Sequence, residues 1–260
     1  HAKFFFYTIF LTFYFLETVF ETRMSSHKMH AHKGRREDFR FVTGQGNYTA
    51  DLVPHDALHA VFLRSPIARG HLRHLSVDIA RAAPNVVAVL TALEAAQDGV
   101  ANMVWTGAPV RDDGSAGVKS PRPLLNGSVI RHLGEPICMV VAKTRQAAMD
   151  ALELVDVVYD TDDAVAVSIK DLNGPLVWPE SPDNIAALHR VGDKQAVDIA
   201  LAAAETVVRF DFDVSKVTAC PIEMRSALGS VDQDGKICLT TSAQNPFALH
   251  GELTKLFKMP

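Results

Sequence analysis

Five groups of residues in this 260-residue chain have side chains and spacing that could do chemistry. His27, His30 and His32 crowd a basic stretch from Met24 to Arg36. Three imidazoles can hold a metal, but no carboxylate lies among them and the stretch reads as an unanchored arm, so they are expected to bind nothing. Cys138, Cys220 and Cys238 are far apart, each in an apolar strand-like run, with no CxxC pair and no cluster spacing. They read as buried, reduced thiols rather than zinc or iron–sulfur ligands. Gly44 and Gly46 form a GxG, yet no helix pattern follows, so this is not a dinucleotide fingerprint but a turn into an extended segment. Glu223 and Arg225 have opposite charges at strand spacing, which suits a partly buried ion pair. Gln244 ends a strand pattern just before Asn245-Pro246. By itself it reads as a polar residue terminating a strand.

These residues depend on elements that must position them. The chain is organised around Leu133-Gly134-Glu135-Pro136, the apolar run Ile137 to Ala142, and Thr144 to Tyr159. The apolar run predicts a fully buried strand. Thr144 can cap a helix, along which Ala147, Ala148, Ala151, Leu152 and Val155 repeat at helical spacing. Residues 155–159 return to a strand pattern, so the whole reads as a βαβ-type unit with no chemistry of its own.

Upstream, residues 58–64 are a strand stopped by Ser65-Pro66, and Leu72, Leu75 and Val77 mark a second. Asp78 to Ala83 is a short helix ended by Pro84, Val86 to Thr91 a third strand, and Leu93 to Gln97 a helical turn. Residues 98–131 are rich in Gly, Pro, Asp and Ser and read as a long loop. Residues 161–193 have linker composition, and Lys194 to Glu205 is a helix. Val207 to Val214 alternates like a strand, Gln233-Asp234-Gly235 marks a hairpin between residues 230–232 and 236–241, and a helix runs from Ala248 to Phe257.

Composition places the chain among globular proteins, with 48% apolar and 22% charged residues and room for a substantial core. A net charge of −4 gives no reason to expect nucleic acid or an anionic membrane as partner. The Phe-rich opening differs from the rest. Its uncharged run from Phe4 to Leu16 is 13 residues, short of the roughly 20 that span a bilayer. It lacks a small-residue cleavage site, and Met24-Ser25-Ser26 reads as an ordinary start. Residues 1–23 therefore read as translated upstream sequence, with a membrane anchor as the alternative.

Five separated pieces carry a resemblance to a known family: EDFRFVTGQGNYTADL, LHAVFLRSPIARGHL, NVVAVLTA, HLGEPICMVVA and AMDALELVDVVYD. In this order they resemble the α/β hammerhead domain of the large, molybdopterin-binding subunit of the xanthine dehydrogenase, aldehyde oxidase and aerobic carbon monoxide dehydrogenase family. The departures are Ile67 for a frequent His, Asn85 for a Gly, and Ile137-Cys138 for Val-Ala. The stretch around Glu223 and Arg225 resembles a Pro-Met-Glu-Pro-Arg motif, with Ile222 and Met224 replacing Met and Pro. Thr241 to Pro246 resembles the Thr-x-x-Gln-x-Pro that ends a strand of the first molybdopterin-binding domain.

The resemblance implies an α+β fold in four parts: a non-native or disordered extension (1–35), a hammerhead domain (36–168), a linker and helix (169–205), and the truncated start of a molybdopterin-binding domain (206–260). It implies that Gln244 binds the cofactor, donating a hydrogen bond to an oxygen ligand of molybdenum without competing as a ligand itself. It assigns no catalytic residue and no direct metal ligand. The family's Gly-Gly-Phe-Gly loop and late glutamate base have no counterpart before Pro260, so the chain is expected to be an inactive N-terminal fragment.

The full subunit would oxidise an aldehyde, N-heterocycle or carbon monoxide with oxygen from water. Its cofactor would be molybdenum–molybdopterin, in the cytosine dinucleotide form. Electrons would pass to 2Fe-2S and FAD on an iron–sulfur small subunit and an FAD medium subunit, in a cytoplasmic dimer of heterotrimers. Neither nucleic acid nor a membrane is an expected partner. The rival reading is a non-catalytic scaffold for subunit interaction. Sequencing the gene past the Pro260 codon is expected to find the frame continuing for several hundred residues with that loop and glutamate. A stop codon there would favour the scaffold.

Overall fold

The computed structural model describes residues 34–103, 110–111, 114–162, 174–181, 183–188, 190–215 and 217–259. The N-terminal run 1–23 and His27, His30 and His32 lie outside the described residues. Two compact units divide the chain between Leu52 and Val53.

In the first unit a short helix α1 (Asp38–Val42) ends at Gly44, whose φ of 71° reverses the chain, and a 3-10 turn covers Thr49–Leu52. The expected extended segment after the glycines is therefore a turn of helix. Local bonds decide this: the Asp51 carboxylate accepts from Tyr48 N at 2.9 Å, and Asp51 N donates to the Tyr48 carbonyl at 2.9 Å.

The second unit holds β1 (His59–Arg64), β2 (Gly70–Ser76), α2 (Asp78–Ala82), β3 (Val86–Leu90) and α3 (Ala92–Gln97). After these come β4 (Val129–Ile130), β5 (Pro136–Ala142), α4 (Arg145–Leu152) and β6 (Asp156–Thr161). Beyond them lie α5 (Lys194–Ala203), β7 (Ala227–Val231), β8 (Ile237–Thr241) and α6 (Pro246–Phe257).

Strand β5 is central. It pairs antiparallel with β1 on one edge and with β3 on the other, so its backbone donors and acceptors go to two neighbours. Ile137, Cys138, Val140 and Ala142 are fully buried. Burying an aliphatic side chain of this size stabilises the fold by about 1.5–3 kcal/mol. Helix α4 closes over this core through Ala148 and Ala151, also fully buried. Their small side chains let the helix approach the sheet closely. Its N-cap is Thr144, whose hydroxyl accepts from Ala147 N at 3.1 Å.

The expected βαβ unit is corrected here. Strand, helix and strand all form, but β6 joins a second sheet, in the order β4-β2-β6, all antiparallel. Both edges of β5 are already occupied by β1 and β3, so β6 can find a ladder only on β2. Gly70 pairs on both edges of β2, with Ile130 of β4 and Thr161 of β6. Its φ is 148°, and a Cβ there would lie 2.1 Å from the Asp160 carbonyl oxygen.

The turn before β5 is built from buried polar groups. The Glu135 carboxylate is buried and accepts from Arg131 N at 2.8 Å. Ser65 N donates to the Glu135 carbonyl at 2.8 Å, and Gly134 N donates to the Ser65 carbonyl at 2.9 Å. Buried Asn126 donates to the Val129 carbonyl at 2.6 Å and accepts from Ser128 N at 2.8 Å. These bonds satisfy the Glu135 carboxylate and the Asn126 amide, as a packed interior requires, while the buried Nε of Arg131 has no partner among the described residues.

The region read as a linker proves to be tied down where it is described. Arg111 grips Asp183 with two bonds, at 2.8 and 3.1 Å, and also donates to the Ile185 carbonyl. Val118 N donates to the Ala186 carbonyl at 3.0 Å, and the Arg131 guanidinium stacks 4.0 Å from the Trp178 ring. Hydrogen bonding from Arg111 holds the Asp183 carboxyl at a pKa of about 2.

Two further expectations are overturned. Val207 to Val214 joins no strand among the described residues. Cys220 and Cys238 are exposed, and only Cys138 is buried, because the segments around the first two lie on no core. Burial pushes the Cys138 thiol up to about 11. Alkylation of the native protein at mildly alkaline pH is therefore expected to label Cys220 and Cys238 and to spare Cys138 until denaturant is added; equal labelling of all three would contradict this packing. Gly70→Ala is expected to cost about 3 kcal/mol in urea denaturation, because the added methyl must displace the β6 backbone.

Candidate functional site

The chemistry-bearing residue that the fold leaves open lies beyond the core, where β8 hands over to α6. Strands β7 and β8 pair in register from Ala227↔Thr241 to Val231↔Ile237. Their turn is short because Asp232 organises it. Its backbone N donates to the Lys236 carbonyl at 2.9 Å, and its carboxylate accepts from Asp234 N and Lys236 N at 2.9 and 2.8 Å. Gly235 takes φ 80°, the left-handed residue that such a three-residue hairpin loop needs. At the open end, the Thr241 hydroxyl donates to the Ser226 carbonyl at 2.7 Å and fixes where the ladder stops.

The chain then has three exposed residues, Ser242, Ala243 and Gln244, before the next element. Asn245 is the N-cap of α6, and its side-chain oxygen accepts from Ala248 N at 3.0 Å. Pro246 takes the first helical position, where a missing N–H costs nothing. Leu249, Leu253 and Leu256 turn one face of the helix inward, and the Leu256 carbonyl accepts from Ala101 N at 2.7 Å. The helix start moves two residues upstream of the expected Ala248, since Asn245 can cap and Pro246 can follow it.

Two adjacent amides thus have different tasks. Asn245 is committed to the helix. Gln244 is exposed and makes no hydrogen bond among the described residues. A neutral primary amide offers two N–H donors and one weakly ligating oxygen, so it can hydrogen-bond an oxygen-rich group without displacing a ligand. Glu223 is half-buried and Arg225 exposed, upstream of β7; a pairing between them would be solvated and worth little. Among the described residues no three His, Cys, Asp or Glu side chains gather as a metal site. No described helix is long and apolar enough to cross a membrane. Nothing in the sequence around Gln244 marks its amide as unpaired; that follows only from Asn245 taking the cap.

Comparison with known proteins matches two successive segments of the chain. Residues 43–163 match the model described as aldehyde oxidase and xanthine dehydrogenase, a/b hammerhead domain, and residues 177–260 match the molybdopterin cofactor-binding domain. The nicotine 6-hydroxylase large subunit of Paenarthrobacter nicotinovorans is 32% identical over 226 residues, covering 82% of this chain and 25% of the relative. The carbon monoxide dehydrogenase large chain of Afipia carboxidovorans is 27% identical, covering 87% and 28%. Quinoline 2-oxidoreductase from Pseudomonas putida 86 superimposes with a TM-score of 0.75 at 31% identity, over 87% of this chain and 28% of that one. The chain thus spans about a quarter of the length of the relatives that it matches.

Removing the cap should loosen the strand–helix junction that presents Gln244. Asn245→Ala is expected to destabilise α6 by about 1 kcal/mol, and Asn245→Asp to retain most of the stability. Chemical denaturation with hydrogen exchange at Ala248 would read both, and an unchanged Ala248 amide in the alanine variant would remove Asn245 from this role.

Proposed function

Because the chain belongs to the aldehyde oxidase and xanthine dehydrogenase family, as a hammerhead domain followed by the start of a molybdopterin-binding domain, we propose that Gln244 holds a molybdenum–pterin cofactor in a hydroxylase large subunit. The observation that carries this reading is the amide of Gln244, exposed and unpaired at the β8–α6 junction inside the matched cofactor-binding segment. The fit is that of a donor and not of a ligand set. The side chain is neutral, makes no hydrogen bond among the described residues, and is followed by a capped helix.

When bound, the molybdenum–pterin group supplies two-electron redox chemistry. The contribution of this chain is positional. Gln244 would hold the group by donating a hydrogen bond from its amide Nε2. The Asp232-organised hairpin and the Asn245 cap hold the backbone on either side. The hammerhead domain, whose β5 core carries no reactive group in reach of solvent, serves as scaffold. Its one core thiol, Cys138, is buried and protonated at neutral pH.

For the whole protein the reading is oxidation of an aldehyde, an N-heterocycle or carbon monoxide, with a cytosine dinucleotide form of the cofactor. Electrons leave through 2Fe-2S and FAD groups on small and medium subunits, in a cytoplasmic dimer of heterotrimers. The named relatives, a nicotine hydroxylase and a carbon monoxide dehydrogenase, support the N-heterocycle and carbon monoxide, and the matched aldehyde oxidase and xanthine dehydrogenase model supports the aldehyde. The 260-residue chain alone is read as inactive.

In a full-length subunit carrying this sequence, Gln244→Ala is expected to lower kcat about 10- to 100-fold. KM should change little, and molybdenum content should stay near wild type. Gln244→Glu, which loses both N–H donors, should be as impaired as the alanine variant. Unchanged kcat in both variants would reject the role. Separately, purified residues 1–260 supplied with the cofactor should oxidise none of the three substrate types; turnover by this chain would reject its inactivity.

A further inference from the structure

Ala101, Arg111, Val118 and Arg131, which lie between α3 and the end of β4, reach into the segment matched as cofactor-binding. Arg111 donates to both oxygens of the Asp183 carboxylate, at 2.8 and 3.1 Å, and to the Ile185 carbonyl. Val118 N donates to the Ala186 carbonyl at 3.0 Å, and Arg131 stacks on Trp178. Ala101 N donates to the Leu256 carbonyl at 2.7 Å. Trp178 to Ala186 open the matched segment and Leu256 lies near its end. It is therefore held at both ends, with Gln244 between them.

The two grips share one base. Met103 and Arg122 exchange both backbone hydrogen bonds, at 2.8 and 2.7 Å, and enclose Arg111 and Val118, while Ala101 stands just outside this bridge. Arg111 is set by a tight turn: its N donates to the Ser115 carbonyl at 2.7 Å, and its carbonyl accepts from Gly114 N at 2.9 Å. A guanidinium that meets both oxygens of one carboxylate fixes direction as well as distance. The Leu256 carbonyl belongs to the last turn of α6, whose carbonyls find no partner further along the helix. Ala101 thus fixes one end of a rod of 12 residues, about 18 Å long, and Gln244 stands just before the other end. We propose that Arg111 is a positioning residue for Gln244: its grip on Asp183, together with the Ala101–Leu256 bond, couples the hammerhead domain to the β8–α6 junction and sets where the amide stands. The consequence for catalysis rests on the role given to Gln244 above; the coupling itself does not.

Hydrogen exchange on the full 260-residue chain, without cofactor, tests the coupling. Arg111→Ala should speed exchange about tenfold at Ala101 and in the first turn of α6, at Ala248 and Leu249, while Val140 and Val141 of β5 keep their protection. Arg111→Lys keeps the charge but not the fork and should lie between the alanine variant and wild type. Asp183→Ala should match Arg111→Ala, and the double variant should be no worse than either, because both remove the same contact. Faster exchange confined to Val118 and Ile185 would overturn the coupling. Should Arg111→Ala also strip the β5 amides, Arg111→Lys decides by the same comparison. In a full-length subunit carrying this sequence, Arg111→Ala should lower kcat about tenfold with KM little changed, and should add nothing to Gln244→Ala. An equal further loss in the Gln244→Ala background would overturn the positioning role. Exchange coupling with unchanged kcat in Gln244→Ala would instead reject the role of Gln244 and uphold the coupling.

Discussion

The fold of the second unit depends on β5 being saturated. A strand with neighbours on both edges and a helix over one face has no backbone group left to offer, and its side chains must be apolar and compact. Ile137, Cys138, Val140 and Ala142 meet that demand, and Ala148 and Ala151 meet it from the helix side. Everything nearby is a consequence. The buried Glu135 closes the turn that leads into the strand, its carboxylate accepting from Arg131 N. β6, excluded from the first sheet, builds a second one with β2 and β4. Chemistry is kept out of this region by the same packing that makes it stable.

The second half obeys a different economy. Outside α6, its elements bury little, and local hydrogen bonds set their shape: Asp232 in the hairpin, Asn245 at the helix start, Asp193 at the start of α5, where it accepts from Ala196 N at 2.9 Å. Helix α5 carries Val197, Ile199 and Leu201, and all three remain exposed. Such segments hold their form by turn and cap chemistry while their apolar faces stay available. A residue that must reach a ligand, as Gln244 is read to do, belongs in this part and not beside β5.

The legibility of the chain follows the same division. Ile137 to Ala142 announced itself because a strand buried on both faces needs an unbroken apolar run, and Thr144 because a helix start needs a cap. Sheet membership was not legible: which edge of β5 is free depends on β1 and β3, some fifty to eighty residues earlier. The alternation of Val207 to Val214 predicts a strand, yet none forms there among the described residues, since alternation says nothing about the neighbour. Cys220 and Cys238 misled for the same reason, apolar surroundings in sequence not being burial in space. Gln244 was singled out by resemblance. Its unpaired amide depends on the competing Asn245, a choice between two neighbouring amides that composition does not express.

The antiparallel registers carry a kinetic meaning. His59 pairs with Ala142 and Gly70 with Thr161, so each sheet is closed by a strand synthesised long after its first. Loop-closure entropy must be met before either ladder stabilises anything, which slows folding relative to a chain of local hairpins. On the ribosome, β1 and β3 emerge without β5, and β2 without β4 and β6, and they wait with open edges until those strands leave the exit tunnel. Substitutions in β5 therefore act twice: once on the stability of the finished sheet, and once on how long the nascent strands remain exposed to other chains.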